Sequence, residues 1–176
     1  MLIRPLLILA LLLFSTIPSP AAPKTPMDHV FGCKGKTCVI RENNGGNPKH
    51  FIAAAEDALL RGVKTRVDGP CFSGCVIFAS YARKKVCITA KARIGLHRGR
   101  SWTLYEPLGK VVPPDPKNAK IFDRPPPGYR IEMTRFTPDY GDDIVRWAAI
   151  ENNKMPFDGL YIMTQQEALQ FWKPCR

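Results

Sequence analysis

Between Thr37 and His97 short β-branched runs alternate with helix-like runs, and this alternation limits the folds open to the chain. Thr37-Cys38-Val39-Ile40-Arg41 reads as a strand. Asn43-Asn44-Gly45-Gly46-Asn47-Pro48 is a turn signal. From Phe51 to Arg61 apolar residues recur at helical spacing, with Gly62 as the stop. Val63 to Val67 is a second strand. Gly69-Pro70-Cys71-Phe72-Ser73-Gly74-Cys75 is a tight turn that opens a second helix, Gly74 to Ala82. Lys85 to Thr89 and Arg93 to Leu96 are further short strands. Strand–helix–strand–helix–strand at these lengths predicts an α/β fold of parallel βαβ units with right-handed crossovers. Sites in such sheets form at the carboxyl ends of the strands. Gly45-Gly46 and Ser73, each just after a strand, are therefore expected on one edge of the sheet.

The turn at Ser73 carries the chemistry. A serine on a tight turn before a helix has its hydroxyl exposed, and the neighbouring backbone N–H groups favour negative charge. His97 ends the strand that begins at Arg93 and could return beside Ser73 as a general base. Taken singly, Ser73 is as well explained as a helix cap and His97 as a structural histidine. It is the pair, behind a Gly-Gly turn, that points to nucleophilic catalysis.

The N-terminus is expected to be a secretory signal peptide, residues 1–22. Arg4 supplies the charged start, Leu6 to Phe14 the apolar run, and Ser19-Pro20-Ala21-Ala22 the small residues before cleavage. The run is short for a membrane span. Residues 23–32 read as a Pro-rich linker, and 33–176 as a single domain. The net charge of +11 falls by one when Arg4 is removed. Most of the excess lies in Arg61–Arg100, where ten basic residues face one acid, Asp68. An exported protein rarely meets nucleic acid, and no aromatic platform is interleaved with these cations, so nucleic acid is not the expected partner. A solvated basic face toward an envelope partner is.

Export and an even number of cysteines argue for disulfides among Cys33, Cys38, Cys71, Cys75, Cys87 and Cys175. Cys33 and Cys38 bracket a short loop and form the best local pair. The other four allow three pairings. Cys71 and Cys75 flank Ser73, and a disulfide from either, to Cys87 or elsewhere, would fix its turn. Their spacings do not give the two ligand pairs of a closed zinc site, so no metal is expected.

Further along, Pro107, Pro113, Pro114, Pro116, Pro125, Pro126 and Pro127 interrupt residues 105–130, which are expected to lack regular structure and to form a lid, a protein contact or a poorly ordered surface loop. Asp142 to Asn152 reads as a helix. Thr164-Gln165-Gln166-Glu167 is a capping-box pattern, opening a last helix through Trp172. No internal repeat is present in the sequence.

The ordered set Asn43-Asn44-Gly45-Gly46, Val63–Val67, Gly69-Pro70-Cys71-Phe72-Ser73-Gly74, Val86-Cys87-Ile88 and Ile94-Gly95-Leu96-His97 resembles the Clp protease proteolytic subunit and its crotonase-fold relatives. It is most similar to the exported Clp-protease-like proteins of bacteria. Met163-Thr164-Gln165-Gln166-Glu167-Ala168-Leu169 resembles the family's last helix start. The resemblance implies a ClpP/crotonase-like fold of repeated ββα and βαβ units. It also implies a serine hydrolase or peptidase that needs no cofactor, acting on a peptide or other acyl substrate in the periplasm or outside the cell. Ser73 would attack the acyl carbon, His97 would take its proton, and the N–H groups of Gly46 and Gly74 would form the oxyanion hole, each such donor worth about 3–4 kcal/mol. Related enzymes assemble into rings, so a homo-oligomer is implied. The crotonase branch acts on acyl-CoA thioesters, a substrate that export disfavours. The family's third triad member lies before the last helix. Asp158 is the nearest acid there, with Asn152, Asn153, Asp142 and Asp143 as further candidates. Without an orienting acid a histidine base loses a rate factor of about 10⁴. A catalytically inactive binding protein of the same fold is the alternative reading.

Overall fold

The computed structural model describes residues 24–112 and 127–176. The expected signal peptide and the prolines at 113, 114, 116, 125 and 126 lie outside the described residues. Residues 23–32, expected as a linker, contain a helix, α1 (Pro26–Phe31). Thr25 accepts a hydrogen bond from the Asp28 N–H, Pro26 occupies the first turn, and Gly32 closes the helix at φ 68°. Met27 is fully buried, so α1 is docked on the domain rather than spanning away from it.

The alternation read from the sequence is present. Strand β1 (Thr37–Ile40) leads to α2 (Pro48–Arg61) and β2 (Lys64–Val67). Then follow β3 (Pro70–Phe72), α3 (Gly74–Tyr81), a 3₁₀ turn (Arg83–Lys85), β4 (Val86–Ile88) and β5 (Arg93–Leu96). Asn47 caps α2 by accepting from the Lys49 N–H, and Gly62 ends it in the left-handed region. The helix buries Phe51, Ala54, Ala55 and Ala58, which share one face. Every residue of α3 from Gly74 to Ala79 is buried, as expected of a helix apolar all round.

The strands are shared between two sheets. β1, β2 and β4 run parallel in one, with β10 (Lys173–Pro174) added beside β4. β3 and β5 run parallel in a second, with β9 (Tyr161–Ile162) antiparallel to β5. A lone parallel bridge joins Asn43 to Cys71 of β3. Each unit therefore gives its first strand to one sheet, crosses to the other, and then enters a helix: β1–Asn43–α2, then β2–β3–α3, then β4–β5. The repetition is one of structure. Side chains of Cys38, Ile40, Val67, Val86 and Ile88 face the core with α2 and α3.

Beyond His97, β6 (Gly99–Tyr105) and β8 (Arg130–Phe136) form an antiparallel ribbon, with β7 (Val111–Val112) paired to β6. The segment expected to lack structure thus begins with a turn, Glu106 to Lys110, and a short strand. The helix expected over Asp142–Asn152 starts as α4 (Asp142–Val145) and widens into π-helical turns over Arg146–Glu151. The last helix, α5 (Gln165–Ala168), has both hydrogen bonds of the capping box but stops short of Trp172. Trp172 is buried, and its indole N–H donates to the Ala79 carbonyl at 2.9 Å, which turns the chain toward β10.

Three disulfides join Cys33 to Cys38, Cys71 to Cys75 and Cys87 to Cys175. The first is the local pair expected, and the other two select one of the three open pairings. They fit an oxidising, extracellular compartment. Among the described residues no helix is long and apolar enough to cross a membrane.

Candidate active site

Parallel pairing of β3 with β5 aligns Phe72 with Gly95, so Ser73 and His97 leave the carboxyl ends of neighbouring strands. The Ser73 N–H donates to the Gly95 carbonyl at 3.0 Å, which locks the serine turn to β5. Ser73 sits at φ 52°, ψ −117°, a conformation that L residues rarely adopt. Its side chain caps no N–H of α3. The hydroxyl instead meets His97, with Ser73 Oγ 2.8 Å from His97 Nε2.

The other face of the imidazole fixes its tautomer. His97 Nδ1 lies 2.7 Å from the Arg98 carbonyl oxygen. A carbonyl can only accept, so Nδ1 carries the proton and Nε2 presents a lone pair to the serine hydroxyl. Arg98 is itself held: its N–H donates to the Pro156 carbonyl at 2.9 Å, and its guanidinium lies 4.3 Å over the Phe157 ring. Arg135 covers the same ring at 4.6 Å. These contacts anchor the backbone that supplies the carbonyl.

Tyr140, fully buried, reaches the site from the end of the ribbon at which Phe136 pairs with Gly99. Its hydroxyl donates to the His97 carbonyl at 3.1 Å. Burial pushes the Tyr140 hydroxyl up to about 12, against the lowering effect of hydrogen bonds to the His97 backbone and the Ser73 side chain. At neutral pH it is a neutral donor, holding the His97 backbone.

The Gly-Gly turn lies against the serine. A Cβ on Gly45 (φ 88°) would come within 2.6 Å of the Ser73 Cβ and 2.8 Å of the Gly74 nitrogen. Asn43 shapes the turn by accepting from the Gly45 N–H at 2.9 Å, and its backbone bonds with Pro70 and Phe72 tie it to β3. Gly46 follows at φ 146°. Gly74 is the first residue of α3, so its N–H has no acceptor within the helix. A Cβ there would meet the Phe51 ring at 2.4 Å and the Gly46 carbonyl oxygen at 3.1 Å. Gly45 is thus the glycine packed on Ser73, and Gly46 borders Gly74 through its carbonyl oxygen.

Asp158 is placed elsewhere. Its side chain is 81% exposed and pairs with Arg100. Asn152 donates to the Trp147 carbonyl and Asp143 pairs with Arg83, while the hydrogen bonds of the His97 ring go to Ser73 and Arg98 and not to Asn153 or Asp142. Among the described residues no carboxylate reaches the imidazole; a backbone carbonyl stands where an acid was expected. Sequence reasoning also missed Tyr140. Neither carries a signal: a carbonyl belongs to every residue, and Tyr140 lies 43 positions from His97 in a stretch without periodicity. Among the described residues no group of three or more His, Cys, Asp or Glu side chains is placed to hold a metal ion.

No protein-family model matches the sequence, and none of the curated proteins compared with it does.

Proposed function

We propose that the protein is a serine hydrolase of the Clp-protease/crotonase type, acting on a peptide or other acyl substrate in the periplasm or after secretion. The hydrogen bond from Ser73 Oγ to His97 Nε2, with Nδ1–H held by the Arg98 carbonyl, carries the reading. The strand–strand–helix repetition and the Gly-Gly turn packed on the serine support it.

In this reading His97 takes the Ser73 proton as Oγ attacks the acyl carbon. The N–H groups of Gly46 and Gly74 receive the oxyanion. The imidazolium then gives its proton to the leaving group, and water releases the acyl group by the reverse sequence. The Arg98 carbonyl holds the tautomer but bears no full charge, so it stabilises the imidazolium less than a carboxylate does. A slow enzyme follows. The same feature supports the second reading, a binding protein of this fold that has lost turnover.

A fluorophosphonate probe separates the two. Incubated with the oxidised protein lacking residues 1–22, it should form a covalent adduct on Ser73, located by mass spectrometry. The adduct should vanish in Ser73→Ala and fall steeply in His97→Ala. An unmodified Ser73 in a protein shown to be folded, with three disulfides intact, would reject the hydrolase reading in favour of the binding one.

A further inference from the structure

Sheets made only of parallel strands are almost always covered on both faces. Here the sheet of β1, β2, β4 and β10 has one face against the core, and among the described residues no element covers the other. The alternation of each strand sorts the side chains. Thr37, Val39, Lys64 and Arg66 point outward, and Val39 is 40% exposed. Together with Cys87, Lys84, Lys85 and Lys173 they line a cavity of about 560 Å³. Its floor is formed by Val39 and the Cys87 end of the Cys87–Cys175 disulfide. Its rim carries five cations and, among the described lining residues, no acid. Arg66 pairs at 3.6 Å with Asp68, outside the cavity; Lys64, Lys84, Lys85 and Lys173 form no ion pair among the described residues. The cavity sits toward the amino ends of the strands, and Ser73 and His97 sit toward the carboxyl ends.

We infer that this open sheet face is a docking groove for an acidic peptide segment of a partner protein, one that sets apolar side chains on the sheet and carboxylates against the lysine rim. The argument is one of charge and shape. Four lysines without an ion pair among the described residues line one cavity with Val39, a concentration of positive charge that favours an anionic partner. A second copy of this chain would bring the same cations against themselves, because a two-fold contact is self-complementary. A bilayer is flat and cannot fill a concave floor. Single-stranded nucleic acid is held by aromatic stacking as well as by charge, and no aromatic side chain is among the described residues that line the cavity.

The test uses the oxidised protein lacking residues 1–22 and carrying Ser73→Ala, so that no probe is turned over. A panel of fluorescein-labelled decapeptides, with glutamate alternating with leucine or valine, is titrated by anisotropy; lysine-for-glutamate versions serve as controls. Binding should be restricted to acidic members and weaken about tenfold or more between about 50 and about 300 mM salt. The double reversal Lys64→Glu with Lys173→Glu should cost about tenfold or more in affinity with an unchanged melting curve. If that variant does not fold, Lys84→Glu with Lys85→Glu, on the 3₁₀ turn, replaces it. The inference fails if no acidic peptide binds, or if the folded reversal binds as tightly as the parent. It fails equally if phosphatidylglycerol vesicles or heparin bind and no acidic peptide displaces them.

Discussion

Ser73 holds its hydroxyl toward His97 only by adopting φ 52°, ψ −117°, a region that costs a non-glycine residue about 1–3 kcal/mol. Glycine enters that region freely but also gains freedom in the unfolded chain, worth about 0.4–1 kcal/mol. Ser73→Gly should therefore be more stable than Ser73→Ala by about 1 kcal/mol, read by denaturant unfolding of the two variants side by side. Equal stability would mean that the turn is not strained. Tyr140→Phe removes the donor to the His97 carbonyl and should cost about 1 kcal/mol while slowing probe attachment to Ser73, measured by the melting curve and the labelling rate. An unchanged labelling rate would remove Tyr140 from the positioning of His97. The pair itself was legible because Ser73 and His97 each end a strand and parallel pairing makes those ends neighbours. The group that orients His97 was not. Asp158 has the right chemistry and lies two residues beyond Pro156, yet Arg100 draws its side chain into solvent. The carbonyl that replaces it is placed by Arg98 and Phe157, a contact between residues far apart in the chain that no local pattern encodes.

Helix α5 spans only Gln165–Ala168 and depends on one residue for its start. Glu167 accepts from the Thr164 N–H at 2.8 Å and from Tyr161, and it pairs with Lys154. Burial pushes the Glu167 carboxyl up, but the Lys154 ammonium, the Thr164 N–H and the Tyr161 and Thr164 hydroxyls outweigh it and bring the value to about 2. The ordinary value is 4.5, so the unfolded chain takes up a proton first as the pH falls. The resulting stability is fully present above about 4.5 and is lost as the pH drops toward about 2. Glu167→Gln should be less stable than the parent at neutral pH, and the difference should shrink through that window, followed by urea unfolding at several pH values. A constant difference would mean that the side-chain shape, not the charge, matters. The start of the last helix was readable because its cap is written in Thr164 and Glu167, whereas α2 begins at Pro48, ahead of the expected Phe51, because Asn47 reads as part of the turn yet caps the helix. Element ends were not readable, because burial decides them. Trp172 leaves the helical path to reach the Ala79 carbonyl, and α1 forms in a Pro-rich stretch because Met27 has a place in the core.

The three disulfides divide stability and reactivity between them. Cys87–Cys175 closes 88 positions of chain and staples β10 to β4, whereas Cys33–Cys38 and Cys71–Cys75 close five and four. Loop-closure entropy grows with the logarithm of loop length, so the long link contributes about 4.6 kcal/mol and each short one about 2. Location reverses the order for reactivity. Cys71 ends in β3 and Cys75 lies in the first turn of α3, both fully buried, so their bond bridges the strained residue between them. Cys87–Cys175 lies in the other sheet, joining β4 to the residue after β10, whereas Ser73 and His97 follow strands of the β3–β5 sheet. Replacing Cys87 and Cys175 by alanine should thus lower the melting temperature most while leaving the rate of probe attachment to Ser73 near that of the parent, measured well below the transition. Replacing Cys71 and Cys75 should cost less stability but slow attachment further, since the turn can then relax toward ordinary backbone angles and carry Oγ away from Nε2. The two readouts, a thermal melt and a labelling rate on the same samples, should rank the variants in opposite orders. The same ranking in both would mean that Ser73 responds only to global stability, and that the disulfide beside it does not hold the nucleophile turn.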